Sequence, residues 1–142
     1  MINLRESHIE DLVMLAENAM EPGIDPRDVR LWAAKNIVNG PAYTGESDGK
    51  IVAAGGVWLV RPGVGMIWIV ISKEIERTYS FLKELIIIMR NMVEILAETF
   101  GLKKIRTYSK IGFGQSQSLL HHLGFIRLRR TQKSHYIYLR RF

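Results

Sequence analysis

The sequence of 142 residues contains no cysteine. This absence excludes disulfides, thiolate metal sites and a thiol nucleophile, and it is compatible with a reducing cytosol. The sequence also lacks an apolar run long enough to span a bilayer. In the longest predicted helix the apolar run LIIIM, at 85–89, is far too short to do so. The charged start, MINLRESHIEDL, is unlike a signal peptide. We therefore expect a cytoplasmic protein that does not enter a membrane.

Acidic residues are absent beyond residue 100. All fourteen Asp and Glu precede residue 101, together with ten Lys and Arg, whereas residues 101–142 hold the other ten Lys and Arg. Such an asymmetry concerns partners more than fold. A polyanion, a nucleotide cofactor or an acidic protein face would each match this basic segment. Solvated outer faces of antiparallel strands would match it equally well.

Two kinds of catalytic site find no support in the sequence. The four histidines lack carboxylates, or one another, at a spacing useful for a metal, and the adjacent His121 and His122 point to different sides of a helix. The segment GQSQS at 114–118 lacks the second glycine of a serine nucleophile elbow and has no strand directly before it. We therefore expect neither a metal site nor a serine hydrolase.

Hydrophobic periodicity and turn signals predict eleven elements in the order β-α-α-β-β-β-α-β-α-β-β. At this length one domain, 1–142, is expected. The Asp48-Gly49 turn joins two of the strands as a hairpin. Strands are predicted at 2–5, 42–47, 51–60, 66–72, 103–109, 125–130 and 135–141, and helices at 8–19, 26–38, 78–100 and 115–123.

An uninterrupted helix links two apolar strands, 66–72 and 103–109, and this βαβ arrangement predicts that the two strands are parallel. The first of them, MIWIVIS, is nearly all apolar, which is typical of a central strand covered on both faces. The predicted fold class is therefore α/β (α+β), with a mixed, mostly antiparallel sheet and helices on both faces.

Helix termini and one apolar stripe follow from local patterns. Ser7 with Glu10 has the spacing of a capping box, and Gly101 is placed to end the long helix. Ile88 and Ile95 lie beside the stripe that the long helix is expected to bury. The stripe consists of Leu82, Leu85, Ile86, Met89, Met92, Val93 and Leu96.

The order of the elements and two motifs resemble the GNAT (Gcn5-related N-acetyltransferase) superfamily, and this resemblance covers essentially the whole chain. HHLGFIRL at 121–128 is similar to the family's Leu-Gly-Phe before the sixth strand, and INLRESHIEDL is similar to its first strand and helix. The resemblance implies an acyl-CoA N-acyltransferase-like fold and an acetyl-CoA-dependent N-acetyltransferase acting on an amine of unknown identity.

The family's long helix begins with Arg/Gln-x-x-Gly-x-Gly/Ala, whose exposed backbone N–H groups hold a diphosphate at the positive end of the helix dipole. Here Ser80 and Leu82 occupy the two glycine positions. The resemblance implies that the diphosphate of acetyl-CoA lies on the turn and the pantetheine arm beside the preceding strand. The implied cofactor-binding residues are Ile69, Val70, Ile71, Arg77, Thr78, Tyr79 and Ser80.

The family's catalytic residues are only partly matched. Leu120 stands where many members carry a tyrosine that protonates the departing thiolate, and neither 65–72 nor 104–109 contains a carboxylate base. Tyr108 and His121 are candidate acids, and Glu21 in the loop between the first helices is a candidate base. Each of the three also has a purely structural interpretation, Tyr108 as a strand residue, His121 as a helix-end residue and Glu21 as a loop residue.

The glycine-poor turn is also similar to GNAT-like proteins of short-tailed phages, some of which are internal virion proteins. One alternative is therefore a catalytically degenerate binding or structural protein, with Trp58 and Trp68 as exposed candidates for a homodimer contact. Another is nucleic-acid binding, in which aromatic residues of the basic segment stack on bases. The aromatic residues concerned are Tyr136, Tyr138 and Phe142.

Overall fold

The computed structural model of the protein describes residues 1–19, 25–75, 77–110 and 114–142. In these ranges it has seven strands and four α-helices, in the predicted order. None of the helices it describes is both long enough and apolar enough to cross a membrane. The elements are β1 Asn3–Glu6, α1 Ile9–Glu17, α2 Val29–Val38, β2 Ala42–Ser47, β3 Lys50–Arg61, β4 Val64–Ile71, α3 Tyr79–Thr99, β5 Lys104–Lys110, α4 Gly114–His122, β6 Ile126–Gln132 and β7 His135–Arg141.

The strands follow one another in the sheet as β1-β2-β3-β4-β5-β7-β6. Strands β1 and β2, β2 and β3, β5 and β7, and β6 and β7 pair antiparallel, whereas β4 and β5 are parallel. The mixed, mostly antiparallel α/β (α+β) sheet and the parallel pair around the long helix are therefore confirmed. Asp48 and Gly49 both have positive φ, at 50° and 76°, as the predicted hairpin turn requires.

The chain divides into two compact units. Unit 1 comprises Met1–Trp58 and Trp68–Leu82, and unit 2 comprises Leu59–Ile67 and Lys83–Phe142. Strands β3 and β4 and helix α3 each contribute residues to both units. The expectation of one domain over 1–142 stays a prediction.

In unit 1 the predicted cap of the first helix is wrong by one residue. His8 is the N-cap, and its backbone N–H donates to Asp11 Oδ2 at 2.8 Å. The Ser7 hydroxyl instead lies 2.7 Å from the Thr44 hydroxyl on β2. The Ser7 hydroxyl is bound to β2 and does not cap the helix, which therefore starts one residue later. The capping box is completed by Asp11 and not by Glu10.

Asp11 is the buried centre of a polar network in unit 1. The Arg5 guanidinium donates to both Asp11 carboxylate oxygens, at 2.6 and 2.8 Å, and also to Glu46 at 2.9 Å. The hydroxyl of the fully buried Thr44 donates to Asp11 at 3.2 Å. These bonds, above all those from Arg5, hold the pKa of the Asp11 carboxyl below its ordinary value. The network joins β1, α1 and β2.

The two tryptophans proposed as exposed contact residues are half-buried, so that expectation is wrong. Trp58 donates its indole N–H to Asn36 Oδ1 at 2.7 Å, and Trp68 meets Trp32 edge to face with ring centroids 6.1 Å apart. Gly56 has no room for a side chain, since a Cβ there would clash with the Pro41 carbonyl oxygen and would lie 3.0 Å from the Trp68 ring. The tryptophans therefore stabilise unit 1 and offer no free patch.

Both helices of unit 2 end in a glycine with positive φ, Gly101 at 62° and Gly124 at 89°. Leu102 N–H donates to Ala97 O at 2.8 Å, and Phe125 N–H donates to Leu120 O at 3.0 Å. Such bonds define a Schellman motif, which also brings apolar residues on either side of the glycine together. The predicted stop at Gly101 is confirmed.

The apolar stripe of α3 is narrower than predicted. Leu85, Val93 and Leu96 are buried, but Leu82 is 37 % exposed, and Ile95 beside the stripe is 53 % exposed. Phe81, the neighbour of Leu82, is buried instead, because i, i+3, i+4 spacing does not show which of two adjacent apolar residues faces the core. The exposure of Leu82 matters for the candidate site.

Strand β4 is less covered than its sequence suggests. Val64, Gly65 and Ile67 are buried, but the four apolar residues of 68–71 are all half-exposed. A strand covered on both faces would bury all of them, and a strand covered on one face would alternate. The prediction of full coverage is therefore wrong for the second half of β4.

We predict that Asp11→Asn lowers the free energy of unfolding at neutral pH by about 2–3 kcal/mol, because it leaves the Arg5 guanidinium without its buried carboxylate. Because the folded-state pKa of Asp11 is lowered, its stabilising effect is present above the ordinary Asp pKa of about 3.9 and is lost as the pH falls through the folded-state value. Urea unfolding between neutral and acidic pH measures both effects.

Glu10→Gln is the matched control, since Glu10 forms an ion pair with Arg30 in which both side chains are mostly exposed. It should shift the unfolding midpoint far less and keep the pH dependence of the parent protein. Equal effects of the two substitutions would contradict a buried role for Asp11.

Candidate functional site

The turn between β4 and α3 is held to the rest of unit 1 by two backbone hydrogen bonds. Ser72 N–H donates to Val52 O at 2.9 Å, and Lys73 N–H donates to Asn18 O at 2.7 Å. The Ser72 hydroxyl also accepts from Glu74 N–H at 3.2 Å, and Ile75 is buried. The start of α3 therefore follows a segment whose position is set by β3 and the end of α1.

Thr78 is the residue that begins α3. Its hydroxyl accepts from Phe81 N–H at 3.3 Å, and its carbonyl accepts from Leu82 N–H at 3.1 Å, the first hydrogen bond of the helix. The first N–H groups of any α-helix have no acceptor within the helix. Phe81 N–H is bound by the Thr78 hydroxyl, and among the residues that the structure describes no acceptor faces the N–H groups of Tyr79 and Ser80, which we call the open end of α3.

This open end of α3 faces solvent. All four residues of 77–80 are exposed, with Tyr79 at 81 %. The aligned peptide dipoles place about half a positive charge here, and Arg77 adds a full one nearby. Exposed N–H groups, a helix dipole and an arginine together form an arrangement that suits an anion.

The two glycine positions of the implied phosphate turn are occupied by residues that leave its donors intact. Leu82 uses its own N–H for the first helical bond, so its side chain, and not its backbone, is what differs from glycine. That side chain is 37 % exposed and is not embedded in the core. Ser80 is exposed and small. Neither residue removes an N–H group from the end of the helix.

The other implied cofactor residues, Ile69, Val70 and Ile71, form the last three positions of β4 and are half-exposed. They belong to unit 1, as do Arg77, Thr78, Tyr79 and Ser80. The structure therefore brings the whole set of candidate cofactor residues onto one stretch of a single unit, from the end of a strand to the first turn of a helix.

In unit 2, strand β4 pairs with β5 in parallel through Val64–Met66, which lie opposite Lys104–Arg106. Val64–Met66 are the first three of the eight residues of β4. The next carbonyl of β4, that of Ile67, accepts from the Thr107 hydroxyl at 2.9 Å. Sequence reasoning did not single out Thr107, because a buried threonine on a strand has no local signature.

The candidate catalytic residues Tyr108 and His121 both belong to unit 2. Tyr108 is half-exposed on β5, opposite Ile137 of β7. His121 is exposed in the last turn of α4, with its ring centroid 6.3 Å from that of His122. The third candidate, Glu21, lies outside the described residues. Asp25 accepts a hydrogen bond from Arg27 N–H at 2.9 Å, so it serves as a cap.

The structure gives a physical reason for Leu120 in place of a tyrosine. Its carbonyl accepts the Phe125 N–H of the Schellman motif, and its side chain is 5 % exposed while that of Phe125 is 1 % exposed. A leucine here contributes to the core of unit 2. Leu120 has no proton to donate, and its side chain is part of the core.

Comparisons with known proteins place the fold in the GNAT group of acetyltransferase structures. No known sequence family and no curated protein matches the chain. Among solved structures, an acetyltransferase of the GNAT family from Streptococcus pneumoniae is 13 % identical, with a TM-score of 0.68 and full coverage of both chains. An aminoglycoside acetyltransferase in complex with coenzyme A is 17 % identical, with a TM-score of 0.71 over 99 % of this chain and 95 % of the other.

A chimera of a spermidine N-acetyltransferase from Vibrio cholerae is 12 % identical, with a TM-score of 0.73 over 99 % of this chain and 95 % of the other. The expected acyl-CoA N-acyltransferase-like fold is thus confirmed. At these identities the likeness establishes architecture only, and activity has to be argued from the site.

We predict that Thr78→Ala lowers the free energy of unfolding by about 1 kcal/mol, because Phe81 N–H loses the side-chain acceptor that caps α3. Thermal and urea unfolding measure the change. Thr78→Ser keeps the hydroxyl and should retain most of the stability. A Thr78→Ser variant as unstable as Thr78→Ala would show that the threonine methyl group matters and the cap does not.

Proposed function

We propose that the protein is an acetyl-CoA-dependent N-acetyltransferase that transfers an acetyl group to an amine. The observation that carries this proposal is the exposed, anchored start of α3, where the N–H groups of Tyr79 and Ser80 and the charge of Arg77 meet solvent together. The likeness to solved acetyltransferases, one of them in complex with coenzyme A, supports it.

In this proposal the diphosphate of the cofactor lies against the N–H groups of 78–80, with Arg77 beside it. Backbone N–H groups at a helix start bind phosphate oxygens through directed hydrogen bonds and through the helix dipole. The pantetheine arm runs along β4 at Ile69–Ile71, where half-exposed apolar side chains and backbone amides suit an amide-containing chain. Ser80 has room to donate its hydroxyl as well.

The reaction proposed is direct attack of a neutral amine on the thioester carbonyl carbon. A C–N bond forms, the C–S bond breaks, the coenzyme leaves as a thiolate, and the proton lost by the amine nitrogen is finally taken up by the thiolate or by water. No covalent enzyme intermediate is needed. Strand β4 contributes no charged side chain, so no carboxylate on it would favour the protonated, charged form of the amine. Holding the two reactants together supplies a further part of the rate.

Three residues are proposed to move protons. Tyr108 is the proposed donor to the departing thiolate, because it is the half-exposed phenol on β5. His121 is a second candidate donor, and Glu21 is a candidate base for the amine. Because β4 and β5 contain no carboxylate, we propose that orientation of the reactants by backbone groups contributes more to the rate than proton transfer does.

The acceptor is proposed to be an amine on a small molecule. The names of two solved relatives, a spermidine N-acetyltransferase and an aminoglycoside acetyltransferase, refer to amine-bearing small molecules. The acyl group is proposed to be acetyl on the same basis. Cytoplasmic location and a homodimer stay predictions from sequence.

A second candidate function is a binding or structural protein built on the same fold, as in the phage-like resemblance. The observation that favours it is Leu120, whose side chain lies in the core at the position where many family members carry a catalytic tyrosine. The two candidates differ in one measurable property: a degenerate scaffold has no need to bind acetyl-CoA.

We predict that Ser80→Asp weakens acetyl-CoA binding at least about tenfold, because a carboxylate placed beside the N–H groups of the first turn repels the diphosphate. Isothermal titration calorimetry of acetyl-CoA measures the affinity. The thermal midpoint should stay the same or rise, since an acidic residue in the first turn of a helix is stabilising.

Ser134→Asp is the matched control, because it makes the same change at an exposed position in the β6–β7 turn. It should bind acetyl-CoA like the parent protein. If the parent protein itself shows neither heat nor a thermal shift with acetyl-CoA, the enzyme proposal fails and the scaffold alternative stands.

We predict that Tyr108→Phe lowers kcat for acetyl transfer by about a hundredfold, the lower end of what a positioned proton donor contributes, without weakening acetyl-CoA binding. Steady-state release of the coenzyme A thiol, with a panel of small amines as acceptors, measures the rate. His121→Asn and its neighbour His122→Asn form a matched pair. An unchanged kcat in Tyr108→Phe together with a loss in His121→Asn would transfer the proposed role to His121.

A further inference from the structure

Unit 2 is strongly basic. It holds thirteen Lys and Arg and three Glu, whereas unit 1 holds seven Lys and Arg and eleven Asp and Glu. One ion pair is recorded in the part of unit 2 that the structure describes, between Arg140 and Glu94 at 2.9 Å. Three Glu cannot balance thirteen cations, so most of the cationic charge of unit 2 has no anion within that unit.

Three of these cations lie together on one face of the sheet. Lys104 on β5 stands directly opposite Arg141 on β7, and Arg106 follows two positions after Lys104. Directly opposed residues of an antiparallel pair, and residues two apart on a strand, project from the same face. Lys104, Arg106 and Arg141 form what we call the β5–β7 cation cluster.

This face of β5 is partly accessible, and the other is buried. Along β5 half-exposed and buried residues alternate strictly: Lys104 and Arg106 are half-exposed, while Ile105, Thr107 and Ser109 are buried. On the buried face Arg140 donates to the Leu123 carbonyl at 3.1 Å and to Glu94 at 2.9 Å. Lys104, Arg106 and Arg141, by contrast, have no side-chain hydrogen bond or ion pair to any residue that the structure describes.

The arrangement is unfavourable without a bound anion. Like charges directly opposite each other on neighbouring strands destabilise a sheet, as Lys104 and Arg141 do here. The Nε atom of Arg106 is buried and has no hydrogen-bond partner among the described residues. A buried donor without an acceptor carries its full desolvation cost. No Asp or Glu occurs in β4, β5 or beyond residue 100 to relieve either problem.

We propose that the β5–β7 cation cluster is a binding site for a phosphate group of a small molecule. Three cations on one face of a strand pair suit a doubly charged phosphate better than a singly charged carboxylate, and the two terminal nitrogens of the Arg106 guanidinium can donate parallel hydrogen bonds to it. Val64 and Met66, which are opposite Lys104 and Arg106 on β4, add no competing charge. This site lies wholly in unit 2 and does not depend on the proposed acetyltransferase activity.

The proposal is tested by titrating the protein with inorganic phosphate at constant ionic strength, by calorimetry and by thermal unfolding. Phosphate should raise the thermal midpoint of the parent protein. Arg106→Gln should weaken phosphate binding at least about tenfold, as expected for the loss of charge-assisted hydrogen bonds. Lys104→Gln should also weaken binding, and without phosphate it should raise the midpoint because it removes the repulsion from Arg141.

Arg129→Gln is the matched control, since it removes the same charge from an exposed position on β6. It should leave phosphate binding within about twofold of the parent, because charges screened by solvent contribute little. Equal weakening by Arg129→Gln and Arg106→Gln would overturn the proposal, and so would a parent protein that phosphate does not stabilise. If Arg106→Gln folds poorly, Lys104→Gln alone decides.

A single-stranded oligonucleotide is the second probe. The proposal expects its binding, if any, to depend on Arg106 more than on Arg129 and to be displaced by inorganic phosphate. Binding that falls steeply with salt and weakens equally with every lost cation would assign the basic surface to a polyanion and contradict a localised phosphate site.

Discussion

The first N–H groups of α3 need acceptors that the helix itself cannot supply, and the candidate site follows from this constraint. Thr78 satisfies one of them, that of Phe81, with its hydroxyl. Hydrogen bonds from Ser72 and Lys73 to neighbouring elements hold the segment that follows β4. The N–H groups of Tyr79 and Ser80 are then left at an exposed, positively polarised end. An anionic ligand is the natural partner for such an end.

The turn before α3 has Ser80 and Leu82 at the two glycine positions of the GNAT motif, but its backbone differs less from that motif than these residue types suggest. Glycine at a phosphate turn serves two purposes, which are unusual backbone angles and room for the phosphate. At Leu82 the backbone is helical and its N–H is already bound to Thr78, so only the second purpose is lost. Leu82 lies at the surface, where its side chain has alternatives to the diphosphate position. The backbone N–H groups at the start of α3 are the same with either residue.

Sequence reasoning succeeds here wherever the cause is local. The Asp48-Gly49 hairpin and the helix stop at Gly101 depend on backbone angles that few residues adopt, so the letters themselves identify them. The order of elements follows from hydrophobic period, and the parallel pair from the chain length between two strands. The cofactor residues come from the resemblance, and the structure places all seven in one unit without testing their role.

The errors have a common cause, which is contact between residues distant in sequence. Ser7 does not cap α1 because Thr44 holds its hydroxyl, and Trp58 is not a free contact residue because Asn36 accepts its N–H. Leu82 is exposed while its neighbour Phe81 is buried, and periodicity alone does not show which of the two faces the core. The sequence does not predict the cation cluster either, because only the register of β5 with β7 places Lys104 opposite Arg141.

The most direct test of the central claim is to follow the backbone amide resonances of the isotope-labelled protein while coenzyme A is added. If the open end of α3 holds the diphosphate, the amides of Thr78, Tyr79 and Ser80 should show the largest saturable shifts. Amides near the β5–β7 cation cluster should move less. Absence of saturable shifts at 78–80, with changes confined to other parts of the chain, would contradict the account.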